Sequence, residues 1–314
     1  MKSEVFDVAV VGNVGIDSNV YFPHGEINFT VESNFTENID YVGQAGGYTS
    51  RGFAQLGKKT AFIGYVGDDH NGRFIREEFG RDQIDMSALF IDPAGTSRSI
   101  NFMSADGRRK NFYDGKSHMQ LIPDIEACKF VLKNSRLAHF HLPNWARTLL
   151  PIARESGCVI SCDIQDVTAP DDPYRHDFVK QADILFFSAV NHSDPEPLMR
   201  YFSSINPDQI QICGLGSRGC AILHKGNYAT FAPVELSAPV IDTNGAGDGL
   251  ATGFLTSFIL ETRTIEDSIM RGQIAARFTC SQKASSSTLI TNKLLAEEFE
   301  RLKKHDAKGY KCTI

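Results

Sequence analysis

Short apolar runs of strand type alternate with helical patterns along most of this chain, and no other feature restricts its fold as much. The runs are Val8–Val11, Thr60–Val66, Leu137–His141, Val159–Asp163, Ile184–Phe187 and Ile210–Gly214. Between them the spacing predicts helices over Thr49–Leu56, Gly72–Phe79, Thr148–Glu155, Asp177–Ala182 and Pro197–Ser203. Strands that are apolar throughout are covered on both faces, and their alternation with helices favours βαβ units. The expected fold class is α/β, with three layers, α-β-α, around a mainly parallel central sheet.

Two segments break the rhythm. Val20 to Val42 alternates polar and apolar residues around a turn at Pro23-His24-Gly25, and Ser97 to Ser117 does so around Ala105-Asp106-Gly107. An Asp-Gly turn between alternating runs is a strong hairpin signal. The two read as strands of a small added sheet, a lid spanning about 19–43 and 96–117, or else as plain surface hairpins. After Asp242 the character is helical: Gly249–Leu260, Ile265–Ser281 and Leu294–Lys304, with Asp306–Ile314 read as a frayed end. The organisation expected is one domain over 1–314 that carries the lid.

Composition removes several function classes. Of 314 residues 42% are hydrophobic and 22% charged, and the formal net charge is -6 with no basic stripe, which argues against nucleic acid as a partner. The seven cysteines contain no CxxC pair and lie mostly in apolar runs, so zinc-ribbon and dithiol chemistry lack their spacing. Buried thiols and a reducing, cytoplasmic compartment are expected. Nothing approaches the ~18 apolar residues of a membrane helix. The charged Met1–Asp7 runs straight into the first strand without a signal-peptide core, and the sequons at Asn28, Asn34 and Asn191 read as coincidental.

Chemistry concentrates in Ile241-Asp242-Thr243-Asn244-Gly245-Ala246-Gly247-Asp248-Gly249, which opens an apolar helix. Small residues there leave backbone N–H groups free to face an anion, and the helix dipole favours negative charge at the same place. A carboxylate in that first turn repels phosphate. Its presence is explained if Asp248 accepts a proton from a hydroxyl attacking phosphorus. Asp248 as a simple helix N-terminal acid, with glycines serving a tight turn, is the alternative.

Asp-Thr-Asn-Gly-Ala-Gly-Asp resembles the C-terminal signature of the PfkB carbohydrate kinases. The resemblance implies a ribokinase-like fold with a β lid, an anion hole at Gly245, Ala246 and Gly247, and Asp248 as catalytic base. It continues upstream. Gly12-Asn13-Val14-Gly15-Ile16-Asp17 is similar to the family's first strand and turn, which implies that Asp17 binds substrate hydroxyls. Gly43-Gln44-Ala45-Gly46-Gly47-Tyr48 is similar to the N-terminal signature, which implies a substrate site at Gly43, Gln44, Gly46, Gly47 and Tyr48. Gly214-Leu215-Gly216-Ser217-Arg218-Gly219 resembles the nucleotide loop, implying roles for Gly216, Ser217 and Gly219, with Gln273 near the adenine. ATP and Mg2+ follow as cofactors, a monovalent cation (K+) near Asp242 is allowed, and pairing of lids in the family suggests a homodimer.

Several positions depart from the family pattern. Gln44 replaces a glycine and Tyr48 an asparagine that contacts the sugar, so the Tyr48 ring is a candidate cover for a planar substrate. Asn191 stands where a magnesium-placing glutamate is usual, and could act through a metal-bound water. Asp163-Ile164-Gln165-Asp166-Val167 lacks the family's arginine at its end, and Thr252 replaces a smaller residue. Other signals are set aside. Gly52–Thr60 is a near-miss to a phosphate-binding loop, His139-Phe140-His141 reads as core or rim histidines, and Arg108-Arg109-Lys110 reads as a solvated tip. The function expected is phosphorylation of a hydroxyl on a sugar or related polyol. A nucleoside kinase, or a ligand sensor that keeps the fold without turnover, are the alternatives.

Overall fold

The structure, a computed structural model, describes residues 5–22, 27–104 and 109–306. The two expected hairpin turns, Arg108 and Cys312 lie outside the described residues. The strands are β1 (Phe6–Val11), β2 (Gly15–Tyr21), β3 (Glu37–Gly43), β4 (Thr60–Val66), β5 (Asp85–Ile91), β6 (Ser97–Met103), β7 (Arg109–Asp114), β8 (Ser135–Phe140), β9 (Val159–Asp166), β10 (Ile184–Ser188), β11 (Ile210–Gly214), β12 (Cys220–His224) and β13 (Asn227–Phe231). The helices are α1 (Ala45–Gln55), α2 (His70–Arg81), α3 (Ile125–Lys133), α4 (Leu150–Glu155), α5 (His176–Gln181), α6 (Glu196–Ile205), α7 (Ala246–Leu255), α8 (Ile265–Thr279) and α9 (Asn292–Asp306).

Nine strands form the main sheet in the order β13-β12-β11-β10-β9-β8-β1-β4-β5. Pairing is parallel from β11 across to β5, and β12 and β13 add an antiparallel edge. The period of two along each strand sends alternate side chains to opposite layers. On β1, Ala9 and Val11 pack with α3, α4, α5 and α6, through residues such as Val131, Leu150, Phe178 and Phe202. Val8 and Val10 pack with α1, α2, α7 and α8, through Phe53, Phe79, Phe254 and Ile269. This is the three-layer arrangement the alternation predicts.

The second sheet, β3-β2-β6-β7, is the lid. It begins at Gly15, earlier than expected, because the chain leaves β1 at Gly12 and enters β2 three residues later. Asp17 therefore sits on a lid strand and not in a turn of the main sheet. The lid's inner face buries Asp17, Asn19, Ser99 and Asn101, while every residue of β7 is exposed. Chain order on the main sheet reverses between β1 and β8, and a crevice opens beyond the carboxyl ends of strands at such a switch point. Asn13, His141 and Asp163 come from those ends. No helix among the described residues is long and apolar enough to cross a membrane.

Candidate active site

The anion loop is built as its sequence requires. Gly245 caps α7 with φ 75°, a left-handed conformation, and a Cβ there would lie 2.3 Å from the Tyr48 ring. Glycine is demanded twice, by backbone and by space. Asp248 follows in the first turn of α7. Thr252, one turn on, packs against Gly52 of α1, which leaves room for its methyl.

Three carboxyls converge here. Asp17 is buried, and its Oδ2 accepts from the Gln44 backbone N–H at 3.3 Å while Oδ1 has no protein partner. Gly43 makes that carboxylate possible, since a Cβ at 43 would fall 2.2 Å from it. Burial pushes the Asp17 carboxyl up to about 6 against the pull of the Gln44 N–H, Ser99 and Arg109. Asp163 is likewise pushed up to about 6 by burial, opposed by the Gln165 N–H on its Oδ1. Gln165 adopts φ 58°, and the register between β9 and β10 shifts beside it. Such bulges re-aim side chains next to active sites. Asp248 is raised well above the carboxylate range, by burial first and then by the charges of Asp163 and Asp17, with Arg109 opposing.

Arg109 was not legible as a site residue. It opens lid strand β7 and donates to Asn244 Oδ1 in the anion loop. Its charge also acts on both Asp17 and Asp248. A basic residue beside an Asp-Gly turn normally points to water, and only the lid's fold over the loop brings it inward. His141 was likewise set aside. With Asp163 and Asp248 it places one candidate ligand atom each within 4.8 Å of the others.

The remaining expected residues divide. Gly216 (φ 61°) and Gly219 (φ 91°) bracket a tight turn through Ser217, closed by Leu215 N–H to Gly219 O at 2.9 Å. Gln44, with φ 60°, caps α1 and takes a hydrogen bond from Ser97 Oγ at 3.0 Å, which leaves its buried Nε2 without a protein partner beside Asp17. Gly46 and Gly47 lie buried in the first turn of α1, and a Cβ at 46 would strike Asn13 O at 2.4 Å. Asn191 is exposed beyond β10, with its amide toward Val167 O at 3.5 Å.

Three of the expected residues have side chains already engaged within the protein. Tyr48 offers no open face, because its ring is buried on Gly245 and its hydroxyl lies 2.8 Å from that of Tyr41. Gln273 spends both ends on protein, accepting from the Val234 N–H at 3.0 Å and donating to Cys220 Sγ at 3.3 Å. It ties α8 to β12 and does not reach toward adenine. Asp242 is buried and saturated: Oδ2 accepts from Asn19 at 2.7 Å and Tyr21 OH at 2.8 Å, and Oδ1 from the Asn244 N–H at 2.8 Å. Asn19 ends an amide ladder across the lid, in which Asn111 donates to Asn101 at 2.8 Å and Asn101 to Asn19 at 2.9 Å. The ladder anchors the lid to the anion loop through Asp242. A monovalent cation at Oδ2 would have to displace Asn19 or Tyr21, and at Oδ1 would share the oxygen with the Asn244 N–H, which disfavours K+ here.

Known proteins share this architecture. The profile of the pfkB family carbohydrate kinases matches residues 7–292. Acarbose 7(IV)-phosphotransferase from Actinoplanes sp. is 26% identical over 295 residues, covering 92% of this chain and 96% of that protein. A 5-dehydro-2-deoxygluconokinase from Geobacillus thermodenitrificans is 25% identical over 333 residues, covering 96% and 95%. Among solved structures, a microbiome-derived acarbose kinase superposes with TM-score 0.85 at 26% identity, over 94% of this chain and 99% of that one. Arabidopsis thaliana ribokinase complexed with ribose and ATP superposes at 0.79 with 18% identity, covering 94% and 99%, and shares the fold. The chain belongs to the pfkB family of carbohydrate kinases, phosphotransferases that act on a hydroxyl.

Proposed function

We propose that this site transfers the γ-phosphoryl group of ATP to a hydroxyl of a sugar or related polyol, with Asp248 as base. The observation that carries this is a raised, half-buried carboxyl in the first turn of α7, beside the left-handed Gly245 loop and within the field of Asp17. Asp17 offers a buried carboxylate with a free oxygen, suited to accepting from hydroxyls. Asp248 then takes the proton of the attacking hydroxyl, and its raised basicity matches that task. The N–H groups of Gly245 and Gly247 are the ones offered to the transferred group, with the positive end of α7 behind them, whereas the expected Ala246 N–H already donates to Thr243 O at 3.3 Å. Arg109 brings to the same place the guanidinium that the β9 end lacks, arriving only when the lid lies over the loop.

The nucleotide lies along the turn Gly216–Gly219, where glycines permit close approach. Magnesium supplies charge neutralisation between the phosphates. Asp166, exposed beside Ser188 in the β9–β10 pairing, and Asn191, whose amide lies toward Val167 O, each offer a side-chain oxygen that would suit it. Asp166 thus provides the carboxylate that Asn191 lacks.

Asn13, Ser97, His118 and Trp145 line a small hollow near Gln44, which brings polar and aromatic groups of the kind saccharides use to that side of the site. The relatives named for acarbose and 5-dehydro-2-deoxygluconate support the same class. Burial of Tyr48 removes the ring that had favoured a nucleoside. Buried thiols at Cys128, Cys162, Cys213 and Cys220 suit a reducing, cytoplasmic setting. Ile100 and Phe112 oppose each other across the lid strands and are 42% and 51% exposed, which supports a homodimer through the lid. Sedimentation of Phe112→Glu as monomer against a wild-type dimer tests that part.

The activity itself is tested by screening sugars and polyols for ADP release. Asp248→Asn is expected to cut turnover by about 10²–10⁴-fold while calorimetry still shows nucleotide and sugar binding. Near-normal turnover in this variant would remove Asp248 from the role of base, and no turnover in the wild type would favour the sensor.

A further inference from the structure

His141 follows β8 and is 1% exposed, Asp163 lies within β9 three residues before its end and is 7% exposed, and Asp248 enters from α7. The hydrogen bonding of His141 fixes which nitrogen is available. Thr49 Oγ1 donates to Ala45 O at 2.8 Å, so its single proton is spent. With that proton on Ala45 O, the 2.9 Å contact between Thr49 Oγ1 and His141 Nε2 is assigned to an Nε2–H donor. In that tautomer Nδ1 carries the lone pair, and Nδ1 is a buried atom without a hydrogen-bond partner. A fixed imidazole whose other nitrogen is held by a hydroxyl is how proteins orient a histidine ligand.

One ring nitrogen of His141 lies within 4.8 Å of carboxylate oxygens of Asp163 and Asp248, and Nδ1 is the nitrogen left without a partner. An imidazole nitrogen and two carboxyls face one another, and their proximity and burial make the carboxyls hold protons more firmly than in water. A buried acceptor normally finds a donor. A cation would satisfy all three at once. One neutral imidazole with two carboxylates is a borderline donor set: it suits zinc and its neighbours, whereas magnesium favours oxygen alone. Three protein ligands also leave a coordination position open.

We propose that His141 Nδ1, Asp163 and Asp248 form a second cation site that takes a zinc-class divalent ion and, in doing so, withdraws Asp248 from proton transfer. The effect on turnover rests on Asp248 being the base, but the binding does not. Zinc on the carboxylate occupies the lone pair that the substrate proton needs, so phosphoryl transfer stops without loss of nucleotide affinity.

The test titrates zinc into the full chain by calorimetry, in excess magnesium and without nucleotide, and repeats it with cobalt followed by absorption. The expected result is one ion per chain with a cobalt d–d spectrum free of thiolate charge-transfer bands. His141→Ala should weaken binding beyond the roughly 10- to 100-fold that outer-shell changes cost. Asp163→Asn keeps the volume and the Gln165 contact, and carries the test if His141→Ala does not fold. No stoichiometric binding, a thiolate band, or undiminished affinity in Asp163→Asn overturns the site. Binding at these residues with turnover untouched overturns the inhibitory half, and with it Asp248 as base, while leaving the cation site in place.

Discussion

Arg109, from the exposed edge strand of the lid, donates to the side-chain carbonyl of Asn244, the residue immediately before the left-handed glycine of the anion loop. Its charge lowers the proton affinity of Asp248. Arg109→Gln is expected to reduce kcat by about 10²-fold, the cost of losing one transition-state donor, with a smaller change in the nucleotide KM. The acid limb of the rate profile should also move to higher pH, because a force holding the Asp248 pKa down is gone. A rate profile that keeps its limb would show that Arg109 does not act on the base.

Asp163 has a folded pKa of about 6 against an ordinary 3.8. The folded state therefore holds a proton that the unfolded chain releases, and stability falls as pH rises between those values. Asp163→Asn should raise stability above pH 7 by about 2–3 kcal/mol, since each pH unit between the two values is worth about 1.4 kcal/mol, and leave it unchanged near pH 3. Thermal melts at the two pH values check this.

Asp17 shares the same direction, being raised to about 6 by burial. Only the ionised form accepts from two hydroxyls, so sugar affinity should improve as pH rises through about 6 and then level. Asp17→Asn should raise the sugar KM about tenfold or more, since a hydrogen bond to a charged group is worth about 1.5–3 kcal/mol, and should flatten that pH dependence. Isothermal titration of the sugar across pH reads both effects.

Asp242 already accepts from Asn19, Tyr21 and the Asn244 N–H. Exchange of potassium for sodium is therefore expected to leave kcat within about twofold, well under 1 kcal/mol of barrier. Asp242→Ala leaves buried donors unpaired, and should cost about 2–3 kcal/mol of stability as well as activity. A steep potassium requirement in the wild type would count against this account.

Most of the scaffold was legible because buried parallel strands and their helices leave local patterns. Thr60–Val66 and Ile210–Gly214 match β4 and β11 residue for residue. The strands that escaped notice, β5, β12 and β13, lie toward the two sheet edges; β5 and β13 mix polar with apolar residues, and β12 is a run of only five residues. α3 was also missed, and α1 begins at Ala45, four residues before the expected Thr49, because Gly46 and Gly47 allow its first turn to approach Asn13, Val14 and Val42 closely. Within the site, the loop at Gly245–Asp248 announced itself through contiguous residues. His141, Asp163 and Arg109 did not, because their meeting depends on which strands are neighbours and on where the lid folds, and no local spacing encodes either. Tyr48 and Gln273 misled for the converse reason: a motif position says where a residue lies and not which way its side chain turns.

Gly245 and Tyr48 have a consequence for how this lineage can change. A Cβ on residue 245 and the ring of residue 48 claim one volume, so neither position can drift alone toward bulk. Tyr48 can shrink without harm to Gly245, whereas residue 245 can grow only after residue 48 has shrunk. The left-handed backbone then resists the second step. Substitution at this pair is a one-way street, and the order of events in any descendant with a smaller residue at 48 is fixed in advance.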